Sequence, residues 1–393
     1  MEPLAVINAG SSSIKFALFE DGQEFSILFR GQIEKLGVAP RLTVKDRADQ
    51  QLVEQTWAAD ELDHRSATTV ILETALRLLD GRHVKAVGHR VVHGGTEFAS
   101  PILVDAAVLA SLRRLCPLAP LHQPHNLAAI EAIAAAAPNI RQIACFDTAF
   151  HQTQSAIAQM FALPREMNEA GIRRYGFHGL SYEYIGMRLA ELAPDMAKRR
   201  VIVAHLGNGS SLCAMVDGRS VATTMGFTAI DGLMMGTRCG SLDPGVLIYL
   251  MDERGMDARA LEDLVYRRSG LAGVSGLSSD MRTLRETNDP AAAIATDLFV
   301  YRINREIGSM VAGAGGVDAI VFTGGIGQND AATRAEIAAG CKWLGLELDQ
   351  TLNQAGATKI SGAGSKIEAF VVPTDEEQMI ARHTSALTMS QAG

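Results

Sequence analysis

Short apolar runs separated by small polar turns predict two copies of one strand–turn–strand unit. In the first copy, the apolar residues 4–7 and 14–19 flank the turn NAGSSS. In the second copy, residues 201–204 and 212–216 flank the turn HLGNGSS. An Asp-Gly pair follows each second strand and predicts a further tight turn. Glycines in such turns let backbone N–H groups approach phosphate, and the duplication indicates two related lobes with a nucleotide between them.

The rest of the pattern predicts an α/β protein in which strands alternate with helices. Apolar runs predict strands at residues 26–30, 41–45, 84–92, 142–146, 319–323 and 367–372. Helices are expected at residues 126–137 and after Asp243-Pro244 and Asp289-Pro290, the last with a core stripe at Phe299, Ile303, Ile307, Met310 and Val311. Residues 46–64 read as variable surface, and residues 224–245 as a long functional loop.

Two charged side chains stand at the ends of predicted strands, where open α/β sheets place their ligand-binding groups. Arg90 lies among β-branched residues just before a Gly-Gly turn. Its guanidinium is suited to a carboxylate or phosphate, and the alternative is a surface ion pair. Asp147 directly follows a buried strand. We interpret it as a catalytic carboxylate, with a helix or turn cap as the alternative.

Glycine-rich turns hold two further candidates. His178 lies in YGFHG and Arg238 in GTRCG. Their alternatives are a structural histidine and a hydrogen-bonding anchor of the loop. Near the C-terminus, Thr374 and Glu377 fit a capping box that opens the last helix. Glu376 is not needed for that box, so its carboxylate is available for a metal or for the helix dipole.

Composition narrows the class of protein. The 393 residues are 47% hydrophobic and 20% charged, which suits an α/β enzyme of two domains. A net charge of −8 argues against a nucleic-acid surface, and no apolar run is long enough to span a membrane. The five cysteines form no C-x-x-C or metal-ligand pair, so we expect reduced thiols and a cytoplasmic location.

Taken together, the motifs NAGSSSIKF, GHRVVHGG, CFDTAFH, RYGFHG, HLGNGSS, MGFT, GTRCGSLDPG, FTGGIG and PTDEE cover essentially the whole chain. In order and spacing the sequence resembles acetate kinase and its short-chain acyl kinase relatives. The resemblance implies the fold of the actin, heat-shock chaperone and sugar kinase superfamily: two lobes of duplicated ribonuclease-H-like topology with an active-site cleft between them. It places residues 1–150 with the helix 376–393 in one lobe and residues 151–375 in the nucleotide-binding and dimerisation lobe of a homodimer.

The resemblance also implies reversible phosphoryl transfer from ATP to acetate, and it implies a role for each matching residue. Arg90 and Arg238 would bind the carboxylate and the moving phosphoryl group, His178 would stabilise the transition state, and Asp147 would position groups around the reaction centre. The other implied roles are Mg²⁺ binding (Mn²⁺ as an alternative) by Asn8 and Glu376; phosphate proximity for Ser11, Ser13 and Lys15; nucleotide binding by His205, Leu206, Gly207, Asn208, Gly209, Asp280, Met281, Arg282, Gly325, Ile326, Gly327, Gln328 and Asn329; and an acyl pocket of Val92, Leu121, Phe177 and Ala229.

Several positions depart from the family pattern. Ala229 replaces the proline of MGFTP, so the acyl preference is open between acetate and propionate or a longer acid. Leu180 and Tyr182 replace the threonine and the last histidine of the family motif GFHGTSH. Gln328 replaces the glutamate of GIGEN. A sugar kinase would need an aspartate base and a polar acceptor pocket, and a nucleotide-gated scaffold would not need Arg90, Arg238 and His178. We therefore favour direct transfer of a phosphoryl group to a small carboxylate.

Overall fold

The computed structural model describes residues 2–10, 12–22 and 24–389. The chain divides into two compact units, Met1–Phe150 with Asp375–Gly393 and His151–Thr374. A short 3-10 helix, Ala149–Thr153, spans the boundary along the chain. Within the described residues, none of the helices has the length and apolar character needed to cross a membrane.

An eight-stranded sheet forms the centre of the first unit, in the order β5-β4-β3-β2-β1-β6-β8-β7. Its strands are β1 (Pro3–Ala9), β2 (Ile14–Glu20), β3 (Ile27–Glu34), β4 (Arg41–Asp46), β5 (Gln51–Thr56), β6 (Ala86–Val91), β7 (Ile102–Leu103) and β8 (Arg141–Phe146). The helices are α1 (His64–Leu78), α2 (Ala106–Arg114) and α3 (Gln123–Ala136), with a 3-10 turn at Cys116–Leu118. Because α1 and α3 bury Ile71 and Ile133 in one core with Ile7, β1 is a nearly continuous apolar run.

The second unit is built on a five-stranded sheet in the order β11-β10-β9-β12-β13. Its strands are β9 (Arg200–His205), β10 (Ser211–Val216), β11 (Arg219–Thr223), β12 (Ala319–Thr323) and β13 (Glu368–Val371). Its helices are α4 (Ala156–Gln159), α5 (Arg165–Glu169), α6 (Gly179–Leu192), α7 (Pro194–Ala197), α8 (Pro244–Arg254), α9 (Ala258–Arg267), α10 (Gly270–Ser275), α11 (Met281–Glu286), α12 (Pro290–Gly313), α13 (Gly324–Asn329), α14 (Ala331–Gly340) and α15 (Gln350–Gln354), with a 3-10 turn at Lys342–Leu344.

The two sheets share one topology. In the first unit β3, β2 and β1 are antiparallel, and β6 and then β8 follow in parallel with β1. In the second unit β11, β10 and β9 are antiparallel, and β12 and then β13 follow in parallel with β9. The predicted α/β fold with a duplicated hairpin is therefore confirmed. The α12 stripe is also confirmed at Phe299, Ile303, Ile307 and Met310, which are buried.

The last helix, α16 (Glu376–Met389), belongs to the first unit and packs on β6. At Gly88 the approach is so close that a Cβ would lie 2.2 Å from Thr384 Oγ1. Farther along the helix, Ser385 donates to Asp21 Oδ1 at 2.6 Å, and Lys85 forms an ion pair with the same carboxylate. The helix therefore covers the face of the sheet behind Arg90.

Residues 51–56, part of the stretch read as variable surface, form the edge strand β5, which is mostly exposed and carries no hydrophobic alternation. One local prediction was wrong. The last helix is capped by Asp375, whose Oδ1 accepts from Gln378 N at 2.7 Å, and not by Thr374. Among the described residues Thr374 Oγ1 has no hydrogen-bond partner. Since Asp is as good an N-cap as Thr, the one-residue shift was invisible to the motif.

Candidate active site

One cluster of candidate residues lies where three parallel strands of the first unit end together. Asn8, Arg90 and Asp147 stand at the carboxyl ends of β1, β6 and β8. Arg90 Nε and Nη2 donate to Asp147 Oδ1 and Oδ2 at 3.0 and 2.5 Å, and Arg90 Nη1 donates to Asn8 Oδ1 at 3.2 Å. Arg90 is therefore held in a bidentate ion pair, with its guanidinium fixed in one orientation.

Burial and charge act against each other in this cluster. Asp147 is 1% exposed, and Arg90 Nε lies 3.6 Å from Glu376 Oε2. Burial disfavours the charged guanidinium, but the charges of Asp147 and Glu376 outweigh it and raise the pKa of Arg90 above its usual range. Burial, with Asp147 and Glu377 adding repulsion against the attraction of Arg90, raises the pKa of Glu376 to about 7. The Arg90 guanidinium therefore lies beside two carboxylates, Asp147 and Glu376, that have little contact with water.

The oxygens around Arg90 suit a hard divalent cation. Asn8 contributes an amide oxygen, and Asp147 and Glu376 contribute carboxylates. No group of three or more His, Cys, Asp and Glu side chains is arranged for a metal within the described part of the chain. Magnesium characteristically uses one or two carboxylates and fills its other positions with water and phosphate oxygens. This donor set therefore fits Mg²⁺, and it offers neither the sulfur nor the imidazole ligands of a zinc site.

Helix α3 ties the ends of β1 and β6 together, through residues that the sequence did not single out. Asn126 Oδ1 accepts from Val92 N at 2.9 Å, and its Nδ2 donates to Ala9 O at 2.6 Å. Gln123 brackets His93 in the same way, with bonds of 3.1 and 3.0 Å to its N–H and carbonyl. These buried amides hold the strand ends, and so Arg90, in place.

Other first-unit predictions fall beside this cluster. Lys15 faces Asn8 across the β1–β2 ladder, and its charge lowers the pKa of Glu376 against the effect of burial. Ser13 accepts from Gly10 N through its backbone carbonyl at 2.8 Å, which closes the turn. Ser11 lies outside the described residues. Val92 is buried and Leu121 is partly exposed in the loop before α3.

A second cluster of candidate residues is in the second unit, around His178. This residue has a left-handed backbone, with φ of 59°, and immediately precedes α6. Its Nδ1 lies 2.8 Å from Ser211 Oγ, and its ring stacks on His205 with centroids 4.3 Å apart. His205 Nδ1 in turn lies 2.8 Å from Ser181 Oγ. Both imidazoles thus have a serine hydroxyl as a hydrogen-bond partner.

The glycine turn after β9 brings His178 and Arg238 to one place. A Cβ on Gly209 would lie 3.2 Å from His178 Nε2 and 3.9 Å from Arg238 Nη1. Arg238 Nη1 also donates to Ala229 O at 2.8 Å, which anchors the guanidinium to the long loop. Asn208 accepts from Gly236 N at 3.1 Å, so the turn and the loop are joined. Two side-chain nitrogens, His178 Nε2 and Arg238 Nη1, therefore lie close to Gly209, where the turn has no side chain.

A cavity of about 650 Å³ opens beside this turn, and it collects most of the predicted nucleotide-binding residues. Its lining includes Gly207, Asn208, Asp280, Met281, Arg282, Gly325, Ile326 and Asn329. Ser279, Arg285, Glu286 and Asp330 also line it, although no motif pointed to them. Arg285 is fixed by Glu336, with Nη1 to Oε1 at 2.8 Å and Nη2 to Oε2 at 2.5 Å.

The predicted residues that do not line the cavity support its walls. Leu206 O accepts from Ile326 N at 2.8 Å and from Gly327 N at 3.2 Å, which couples the glycine turn to α13. In the amide orientation that satisfies both groups, Gln328 Oε1 accepts from Gly324 N and Thr374 N at 3.2 Å. Gln328 thus closes the start of its own helix without a charge. Phe177 is buried, and Ala229 lies beside Arg238.

Comparison with known proteins gives the same family throughout. Residues 4–382 match the model of the Acetokinase family. An acetate kinase of Rhodopseudomonas palustris (strain TIE-1) is 53% identical over 386 residues, which are 97% of each chain. An acetate kinase of Rhizobium meliloti is 48% identical over 388 residues, or 98% of each chain.

Solved structures agree. The crystal structure of Porphyromonas gingivalis acetate kinase is 37% identical, with a TM-score of 0.88 over 98% of this chain and 100% of that one. A propionate kinase from Francisella tularensis is 34% identical, with a TM-score of 0.91 over 98% of this chain and 100% of that one. The similarity therefore covers the full length of these relatives and includes both acyl specificities.

Proposed function

The chain belongs to the acetokinase family, and we propose that it is an acetate kinase that transfers the γ-phosphoryl group of ATP to the carboxylate of acetate. The observation that carries the proposal is the pairing of His178 and Arg238 beside Gly209, next to a cavity of nucleotide size. Phosphoryl transfer requires little covalent chemistry from the protein, but it requires positive electrostatic potential around the equatorial oxygens of the transferred group. Arg238 and His178 are placed to provide that potential.

The reaction is a direct displacement. One acetate oxygen attacks the γ-phosphorus, the bond to the β–γ bridging oxygen breaks, and acetyl phosphate and ADP leave. A carboxylate is ionised at neutral pH, so the step requires no general base. The barrier comes from bringing two anions together, and Arg90 and Arg238 lower it by holding the carboxylate and the phosphoryl oxygens. Asp147 keeps the Arg90 guanidinium oriented through its bidentate pair.

Asn8 and Glu376, with Asp147 beside them, would hold Mg²⁺. When bound with ATP, this ion would neutralise phosphate charge and orient the leaving group. Without the metal, burial raises the pKa of the Glu376 carboxyl to about 7, and a bound divalent cation would favour its ionised form. Arg90 keeps its positive charge at neutral pH.

Propionate is the second candidate substrate. The Francisella tularensis relative carries the name propionate kinase. In this chain Ala229 replaces the proline of the family motif MGFTP. Its backbone carbonyl accepts a hydrogen bond from Arg238 Nη1 at 2.8 Å. A smaller residue at this position leaves room for one more methylene, which is worth about 1–3 kcal/mol in a hydrophobic pocket.

A homodimer is supported by an apolar helix that its own chain does not cover. None of the residues of α8 is buried, although the helix includes Val246, Ile248, Tyr249 and Met251. Ile248 and Tyr249 are 56% and 52% exposed. Large apolar faces of this kind characteristically pack against a partner. The substitution Ile248→Asp should convert a dimer into a monomer in size-exclusion chromatography with light scattering.

Trapping of the acyl phosphate as its hydroxamate tests the activity. With ATP and Mg²⁺, acetate should give product, and the comparison with formate, propionate and butyrate gives the preference. Arg238→Ala should lower kcat/KM by about 10²–10³, whereas Arg259→Ala, on the exposed face of α9, should leave it unchanged. Absence of product with every acid, from folded protein that binds ATP, would refute the proposed activity. None of the five cysteines, all within the described residues, is in a disulfide, which supports the proposed cytoplasmic location.

A further inference from the structure

We propose that Tyr182 is a positioning residue for His178, acting through the hydroxyl of Ser211, and that it fixes the imidazole as the tautomer protonated on Nε2. The proposal rests on the proposed function, in which His178 faces the transferred phosphoryl group. Tyr182 lies one turn after His178, and its N–H donates to His178 O at 3.1 Å. Its hydroxyl lies 2.5 Å from Ser211 Oγ, which lies 2.8 Å from His178 Nδ1.

The direction of this hydrogen-bond chain follows from burial. Tyr182 is fully buried, and that burial raises the pKa of its phenol well above 10, although the bond to Ser211 opposes the rise. The phenol therefore keeps its proton, and in the proposed chain its O–H donates to Ser211 Oγ. The Ser211 hydroxyl is then free to donate to His178 Nδ1. A nitrogen that accepts carries no proton, so the proton of a neutral imidazole is on Nε2.

His178 Nε2 is the nitrogen that faces the glycine turn. It is the side-chain atom nearest to the position of a Cβ on Gly209, at 3.2 Å. A proton on Nε2 makes His178 a hydrogen-bond donor at this turn, as a phosphoryl oxygen requires. The opposite tautomer would present a lone pair to an anion. The chain from Tyr182 to Ser211 thus selects the useful one of the two neutral forms.

The ring of Tyr182 supports the same residue from another side. His151 packs edge-on against it, with centroids 5.6 Å apart, and His151 Nε2 lies 2.9 Å from Phe177 O. Since a carbonyl only accepts, His151 carries its proton on Nε2, and its Nδ1 accepts from Ser220 Oγ at 2.9 Å. This bond holds the peptide that precedes the left-handed His178. The phenol ring and hydroxyl therefore fix the backbone and the tautomer separately.

The groups that surround His178 come from several elements. His205 on β9 stacks on its ring, Ser211 on β10 and Tyr182 on α6 form the chain, and Arg238 approaches from the long loop. The GFHGTSH motif that this sequence resembles has histidine at position 182. A histidine there would titrate near neutrality, whereas the phenol holds one proton over the whole working range.

The test uses Tyr182→Phe, which removes the hydroxyl and keeps the ring, together with Ser211→Ala. Each variant should lower kcat about 10-fold and leave the KM values for acetate and ATP within 2-fold. The double variant should lose no more than either single one, because both break the same chain. Tyr184→Phe, on the same helix, is the matched control and should keep the wild-type kcat. In a His178→Ala background, Tyr182→Phe should have no further effect.

Nitrogen-15 NMR of histidine-labelled protein reads the tautomer without reference to activity. In the wild-type enzyme the His178 signals should show a protonated Nε2 and a bare Nδ1, and in Tyr182→Phe they should show a mixture. A wild-type His178 protonated on Nδ1, or a variant with an unchanged tautomer and kcat within 2-fold, would overturn the proposal. A wild type that makes no acyl phosphate but shows the expected tautomer would refute the proposed function alone.

Discussion

The two glycine-turn hairpins have one topology and opposite chemistry. Each is followed in its sheet by two parallel strands. Around the β1–β2 hairpin the strand ends carry an arginine among carboxylates, namely Arg90 with Asp147 and Glu376. Around the β9–β10 hairpin lie hydroxyls and imidazoles, with Ser211 and His205 both in contact with His178. Shared topology therefore decides where functional groups collect, but not which charges they bear.

This contrast separates two ways of holding a reactive group. In the first unit Arg90 is held by charge, and removal of a partner leaves a buried ion uncompensated. In the second unit His178 is held by neutral hydrogen bonds and by the shape of a glycine turn, and the loss of one bond leaves no charge behind. Substitutions should accordingly damage stability together with catalysis in the first unit, and catalysis largely alone in the second.

The largest expected effect is that of Arg90→Ala. It should lower kcat/KM by about 10³, and it should also destabilise the first unit by about 3–5 kcal/mol, because Asp147 would remain buried without its cation. Urea unfolding followed by Trp57 fluorescence in a Trp343→Phe background measures the loss, since Trp57 packs against the first-unit core.

The double variant Arg90→Met/Asp147→Leu is the matched control for this prediction. Replacing both ions should recover most of the stability and none of the activity. The exposed pair of Arg113 and Glu131 provides a second control, and Arg113→Ala should change stability by less than about 1 kcal/mol. A stable Arg90→Ala protein would contradict the view that charge holds this half of the site.

Acid should weaken both units, because each buries at least one histidine that is neutral in the folded chain. Burial lowers the pKa of His89 and His93 in the first unit, and of His151 in the second, to about 4. The unfolded chain therefore binds these protons first, near pH 6.5, and stability falls as the pH drops from there to about 4. Each histidine lowers the free energy of unfolding at acid pH by at most roughly 3 kcal/mol, at about 1.4 kcal/mol for each unit by which its pKa is lowered.

Hydrogen exchange followed by mass spectrometry resolves the two units in this experiment. Protection of β6 and of β9 should both fall between pH 7 and pH 5, after correction for intrinsic exchange, and the raised pKa of Glu376 should offset part of the loss at β6. His151→Gln should flatten the pH dependence of β9 and leave that of β6 unchanged. A pH dependence of β9 that His151→Gln does not change would show that this buried histidine does not govern acid stability.

Much of this arrangement was accessible from the sequence, because strands buried on both faces read as uninterrupted apolar runs. The run at residues 319–323 became β12 without a shift, and the turn after it became α13. The exposed edge strand β5 had no such signal. Tyr182 and Ser211 were invisible as partners, since 29 residues separate them and only the sheet brings them together.

The positions of the candidate site residues were also predictable only in part. Arg90 and Asp147 could be placed at strand ends because strands are recognisable from their apolar runs. Arg285, which lines the cavity, sits on a helix whose local sequence gives no sign of Glu336. Long-range polar pairs of this kind are determined by packing, and a pattern that covers ten or twenty residues carries no information on them.

The turn glycines of the two hairpins provide a smaller, sharper contrast. A Cβ on Gly209 would lie 3.2 Å from the His178 imidazole, whereas one on Gly10 would lie 3.3 Å from a backbone oxygen of Ser13. Gly209→Ala should therefore lower kcat about 10-fold with little change in the urea midpoint, and Gly10→Ala should lower the midpoint. Gly308→Ala on α12 is the control, because the added Cβ would meet nothing closer than the Trp343 ring at 3.9 Å. If both hairpin variants lose kcat equally, the division of roles is wrong.

The smallest effect concerns two of the residues predicted to form the acyl pocket, Ala229 and Val92. Ala229→Pro keeps the carbonyl that holds Arg238, so turnover should survive, but the ring removes space and should raise the acetate-to-propionate ratio of kcat/KM by about 10-fold. In the first unit Val92→Ala adds space and should shift the same ratio in the opposite direction. Hydroxamate assays with both acids measure the ratio. If only one of the two variants moves the ratio, the other residue does not contribute to acyl specificity, contrary to the role that the family resemblance implies.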